Sequence, residues 1–87
     1  MNREVSKYLD NVCSRIKSKQ TQLSVRSELA GHIQSITDEL VSSGLPNEEA
    51  AINALERMGD PFEIGRLIAS YNSQQRNSQL HFALHNI

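Results

Sequence analysis

His81 and His85 stand four residues apart, a spacing that sets two imidazoles on one helix face and lets them share a metal ion. A lasting site needs a third or fourth ligand, and no second ligand cluster accompanies them. Solvated tail histidines are the default reading, and no metal or cofactor is expected. Cys13 is the single cysteine. Arg15 and Lys17 would lower its pKa, but no histidine is placed by sequence to take its proton. It reads as a small, half-buried hydrophobe. His32 follows Glu28 by one helical turn, so a charge pair within the helix is expected. A histidine titrating near neutrality suits a pH switch. Nothing marks a second conformational state, and His32 reads as a boundary residue packing its ring on a neighbouring helix.

The carboxylates come in two pairs, Asp38–Glu39 and Glu48–Glu49. General acid–base work needs such groups in a cleft with shifted pKa values. Glu48 and Glu49 are explained by a helix start, where negative charge is favoured. Asp38 and Glu39 fall near a helix end, against the helix dipole. They are expected to meet Arg or Lys on the first helix or on a partner. No constellation for catalysis emerges, and an enzyme is not expected.

The elements that position these residues follow from spacing. Val5, Leu9, Val12 and Ile16 make one stripe and predict a first helix over about 3–18. Leu29, Ile33, Ile36 and Leu40 repeat the pattern and predict a second over about 24–43, capped by Ser24 or Thr21, with Val25 extending the stripe. The polar turn between matched stripes argues for an antiparallel helical hairpin. Gly44 and Gly59 each close an apolar-periodic segment, as a helix C-terminal glycine does. Asn47 offers a cap for a third helix over about 48–58, whose inner face is Ala51, Ala54, Leu55 and Met58 with Ala50 beside it. Asp60 caps a fourth over about 61–72, with Pro61 at its first position and Glu63 reaching back as in a capping box. Its stripe is Ile64, Leu67, Ile68 and Tyr71. The expected fold is all-α: a long antiparallel hairpin covered by two short helices over residues 1–72. Residues 73–87 form a polar spacer and an apolar tail.

An 87-residue chain with two Phe, two Tyr and no Trp must build a modest, mostly aliphatic core. No apolar run approaches the roughly 20 residues that span a bilayer, and the N-terminus lacks the apolar centre of a secretory signal. A single cysteine favours a reducing compartment. The net charge of −1 hides a segregation. Residues 1–26 carry Arg3, Lys7, Arg15, Lys17, Lys19 and Arg26 against Glu4 and Asp10, a balance of +4. Residues 27–63 carry eight acids against Arg57, a balance of −7. Two solvated faces attracting each other across a helix pair is the plainer reading. A bipolar surface orienting the domain near an anionic membrane or a basic partner is the functional one.

Several elements together carry a resemblance: Tyr8-Leu9, Val12-Cys13 and Ile16, then Glu28-Leu29-x-x-His32-Ile33, then Gly44-x-x-x-Glu48-Glu49-Ala50, then Ala54-Leu55-x-x-Met58-Gly59-Asp60-Pro61 and Ile64-Gly65. Over about residues 5–71 the chain resembles the bacterial permease-prefix, or HAAS-type, cytoplasmic helical domain. It looks most like the version that precedes cell-wall proteins of the FtsW/RodA/SpoVE type. The resemblance implies a regulatory or recruiting domain without catalytic residues at the inner face of the plasma membrane. The implied partner is a membrane-embedded protein, in the same full-length chain or another. The chain departs from the pattern by lacking membrane segments, and its apolar tail at 80–87 fits a cut just before one.

The expected function is therefore protein interaction or regulation tied to cell-wall synthesis or cell division, with no small-molecule substrate. The expected interaction surface is Tyr8, His32, Asp38, Glu39 and Tyr71, beside an exposed groove. A free-standing homodimeric regulator is the alternative, with residues 80–87 ordering against a second copy. DNA binding is a minor one. The corner at 58–61 resembles a helix-turn-helix, but the second and third helices are acidic and the fourth offers only Arg66 to phosphates.

Overall fold

The structure, a computed structural model, describes residues 2–74, with side chains described through Ser70. These residues form four helices: α1 (Arg3–Cys13), α2 (Lys19–Ser42), α3 (Asn47–Met58) and α4 (Pro61–Gln74). No strand occurs among the described residues. The all-α expectation is met. The tail with His81 and His85 and the side chain of Tyr71 lie outside the described residues.

α1 begins where the Asn2 side chain accepts from the Glu4 amide at 2.6 Å. It ends five residues before the stripe predicts. The Ser14 hydroxyl turns back onto the Asn11 carbonyl at 2.7 Å, competing with the helical bond there. The Ile16 amide then bonds Cys13 in a tight turn at 3.0 Å. Gln22 donates its side-chain amide to the Ile16 carbonyl at 2.5 Å, tying the connection to the next helix. Ile16 is 4% exposed all the same. The periodicity marked its burial correctly, but the residue reaches the core from a turn.

α2 starts early because Ser18, rather than Ser24 or Thr21, caps it, accepting from the Thr21 amide at 3.2 Å. Its buried face also differs from the predicted stripe. The fully buried positions are Thr21, Val25, Leu29, Ile33 and Thr37, each four residues after the last. A step of four overshoots one helical turn by about 40°, so this line winds round the helix. The winding follows a change of neighbour. The start of α2 lies against the end of α1, and its later turns face α3. Ile36 is only partly buried at the margin. Thr37 is tolerated inside because its hydroxyl donates to the Ile33 carbonyl at 2.7 Å.

The α2–α3 corner is a Schellman motif. The Leu45 amide bonds the Leu40 carbonyl at 3.1 Å and the Gly44 amide bonds Val41 at 2.9 Å. Gly44 has φ 112°, a conformation that disfavours a side chain. Pro46 then occupies the N-cap of α3 and makes no side-chain cap bond, and Asn47 lies inside the helix instead of capping it. The α3–α4 corner is closer to expectation. Gly59 closes α3 with φ 95°, and the Asp60 carboxylate accepts from the Phe62 amide at 2.9 Å. Glu63 does not complete a capping box. It holds Arg66 by two bonds, at 2.5 and 3.2 Å, which keep its carboxyl below the usual range.

α1 and α2 run antiparallel, since Cys13 meets Gln22 and Asp10 meets Arg26. α2 nevertheless packs most extensively on α3, and α1 on α4. α1 touches all three other helices. α4 runs the same way as α1: Tyr8 meets Gly59, Val12 meets Gly65, and Ile16 lies beside Ala69. The core is aliphatic, built on Leu9, Val12, Val25, Leu29 and Ile68 with Ala50 and Ala54 from α3. Leu67, expected inside, is 52% exposed. It sits about 100° round from the line of Ile64, Gly65 and Ile68 that α4 turns toward α1.

Gly65 sets that line. A Cβ at this position would overlap the carbonyl oxygen of Val12, which is backbone and has no rotamer to yield. Glycine inside a helix costs about 1 kcal/mol relative to alanine. Here the loss is exchanged for direct contact between two helix backbones. Gly31, on the open face of α2, has nothing near it. The two positions therefore predict opposite outcomes for one substitution. Gly31→Ala should raise stability by about 0.5–1 kcal/mol. Gly65→Ala should lower it by about 1–3 kcal/mol, because overpacking outweighs the same propensity gain. Urea unfolding of the two variants checks this.

Candidate functional site

Tyr8 leaves the expected interaction surface. It is 7% exposed, and its hydroxyl donates to the Gly59 carbonyl at 2.8 Å. That bond pins the middle of α1 to the α3–α4 corner. It explains why a bulky aromatic recurs with the aliphatic stripe: the ring fills the core and the hydroxyl satisfies an acceptor at a helix end. Burial first, and then the nearby Asp60 charge, push its pKa up to about 12.

His32 is exposed and lines a shallow recess on the outer face of α2 with Glu28, Gly31 and two serines. It stands exposed among α2 residues alone, not at a boundary packed on the hairpin. Asp38 and Glu39 are also exposed. Neither meets a base on α1. Asp38 accepts from the Gln34 side chain at 2.8 Å, and Glu39 forms no ion pair among the described residues. A groove opens on another part of the surface. It lies where the start of α1, the middle of α2 and the start of α3 converge, with a volume of about 410 Å³. Val5, Ile33 and Ala51 form its floor, and Gln34, Asn47 and Glu48 stand at its edge. Tyr8 and His32 take no part in it. The amphipathic patterns could reveal its floor but not its rim, because Asn2, Gln34 and Asn47 carry no periodic signal.

The chemistry of this groove is that of a contact surface. Its floor is aliphatic and its edge bears three amides and one carboxylate. No nucleophile stands beside a base there. Cys13 lies elsewhere, 5% exposed, with its thiol on the Gln22 carbonyl at 3.8 Å. Burial raises its pKa, outweighing the pull of Arg26. The lowering expected from Arg15 and Lys17 does not occur. Among the described residues no group of three or more His, Cys, Asp or Glu could hold a metal ion, and no helix is long and apolar enough to cross a membrane.

The ion pairs show how the segregated charge is arranged. Arg26 binds Asp10 at 2.6 Å, and Arg66 binds Glu63. The first pair joins two residues of the basic segment, and the second lies within one turn of α4. Neither of these two pairs joins the basic segment to the acidic one. The antiparallel hairpin instead separates them along its length. Arg15, Lys17 and Lys19 gather at the α1–α2 turn. Asp38, Glu39, Glu48 and Glu49 gather at the other end, around the α2–α3 corner.

Comparison with protein-family models, with curated proteins and with solved structures returns no match.

The Tyr8 bond gives a pH dependence with a definite sign. A phenol whose folded pKa exceeds its unfolded value contributes stability that is complete below the unfolded pKa, near 10. That contribution is lost as pH rises through the folded value of about 12. In a Tyr71→Phe background, phenolate absorbance should show Tyr8 ionising near 12 in the folded chain and near 10 in denaturant. Tyr8→Phe should cost about 1 kcal/mol and remove that loss of stability.

Proposed function

We propose that this chain is a non-catalytic regulatory or protein-interaction domain at the inner face of a bacterial membrane. Its partner is a protein that presents basic and apolar groups, embedded in that membrane and belonging to cell-wall synthesis or cell division. The observation that carries the interaction role is the groove beside the α2–α3 corner together with its acidic margin. Asp38, Glu39, Glu48 and Glu49 are exposed and form no ion pair among the described residues. Carboxylates near the end of α2 work against its dipole. A basic partner would compensate them. An aliphatic floor with a charged edge is the usual anatomy of a protein contact, in which the apolar centre supplies affinity and the rim supplies orientation.

The membrane setting and the cell-wall connection rest on the resemblance of residues 5–71 to permease-prefix domains. DNA binding is disfavoured by the outer surface of α3 and α4. α3 carries Glu48, Glu49 and Glu56, and the one arginine in the first half of α4 is held by Glu63. The homodimer alternative finds its support in Phe62 and Leu67, 49% and 52% exposed on α4.

Photo-cross-linking in cells distinguishes these readings. A benzoylphenylalanine at Gln34, on the groove edge, should capture a protein of the membrane fraction. Reversing Asp38 and Glu39 together to Lys should lower that yield about tenfold, the effect of two exposed charge pairs. Cross-links from α4 to second copies of the chain, with none from Gln34, would move the assignment to the homodimer. Turnover of a small substrate by the purified chain would contradict a non-catalytic role.

A further inference from the structure

The basic end of the domain is as distinctive as the acidic one. Arg15, Lys17 and Lys19 occupy five residues of the α1–α2 turn and the first position of α2, and all three are exposed. Asp10 is held by Arg26, and Glu63 by Arg66. None of the three lysine or arginine side chains forms an ion pair among the described residues. Beside them, Ser14, Arg15, Lys17 and Arg66 line a broad open recess of about 540 Å³ between the turn and α4. It has no buried polar group to fix a single small anion. Its shape suits an extended charged surface.

The course of α4 gives the direction. It runs parallel to α1, Ala69 lies beside the α1–α2 turn, and Gln74 is about 7 Å farther on. The C-terminal end of α4 therefore lies at the basic end of the bundle. The acidic cluster around the α2–α3 corner lies at the opposite end of α2.

We propose that the end formed by the α1–α2 turn and the second half of α4 docks on an anionic phospholipid surface through Arg15, Lys17 and Lys19. This rests on the placement of the domain at a membrane, and it assigns the two ends separate tasks. Lipid phosphates take the cations, and the acidic end with its groove projects away, repelled by the same surface and open to a protein partner. The orientation follows from charge alone, because anionic lipid attracts one end and repels the other over about a Debye length.

The test uses the 87-residue chain and flotation with two kinds of vesicle, phosphatidylcholine alone and phosphatidylcholine mixed with phosphatidylglycerol. The chain should partition onto the mixed vesicles only, and salt should release it. Each basic residue near an anionic surface contributes about a fivefold factor, so R15Q/K17Q/K19Q should weaken partitioning about 100-fold. Arg3→Gln removes one charge at the other end and should leave it nearly unchanged. Circular dichroism verifies that each variant is folded, since none of these side chains belongs to the core. The proposal is overturned by equal partitioning of the triple variant, by equal binding to both vesicles, by no partitioning at low salt, or by tighter retention on duplex DNA. Its failure leaves the protein-partner reading standing, because cross-linking from Gln34 does not depend on lipid contact.

Discussion

The arrangement depends on one place where two helix backbones touch. α4 lies on α1 because Gly65 has no side chain, and the Val12 carbonyl occupies the space a Cβ would need. From that point the register of the pair is fixed in both directions. About one turn toward the N-terminus, Tyr8 reaches the Gly59 carbonyl. About one turn toward the C-terminus, Ile16 and Ala69 face the same recess. α1 is also the helix that contacts α2 and α3. Its relation to α4 thus decides which residues of the whole bundle become interior. A small aliphatic core has little apolar area to spare, and close approach is how it excludes water without large aromatic side chains.

The same topology sorts the charge. An antiparallel hairpin places the α1–α2 turn at one end and the C-terminal end of α2 at the other. The basic turn therefore gathers at one pole. The C-terminal part of α2 and the N-terminal part of α3 gather at the opposite pole. Parallel packing of α4 on α1 returns the chain to the basic pole. A groove near the acidic pole and a lysine–arginine cluster at the other are consequences of connectivity. The one buried thiol and the buried phenol both have packing roles, and burial raises the pKa of each.

Much of this was legible in the residues. Four amphipathic segments, the glycine at each of two corners and the Asp60–Pro61 start of α4 all follow from local rules, and the structure places them as those rules require. Local rules failed where a tertiary neighbour decided the outcome. α1 stops at Cys13 because Ser14 and Gln22 recruit carbonyls that a longer helix would have used. The buried line on α2 winds because its neighbour changes from α1 to α3, which a single stripe cannot express. Leu67 is exposed because Gly65, not the larger side chains, sets the face that α4 presents. The burial of Tyr8 is not legible locally, since a tyrosine beside an aliphatic stripe looks the same whether its hydroxyl meets water or a distant carbonyl 51 residues along. The groove rim was invisible because amides have no period. The charge segregation could be counted from the sequence, but its placement at two ends depended on the hairpin.

The contact of Gly65 with α1 can be observed directly by nuclear magnetic resonance of the 87-residue chain. Nuclear Overhauser effects should connect the Gly65 α protons to the α proton of Val12, whose Cα lies next to the space above the glycine. Their absence, with α4 joined instead to α1 through Leu67, would contradict the packing from which the core, the groove and the two poles are derived.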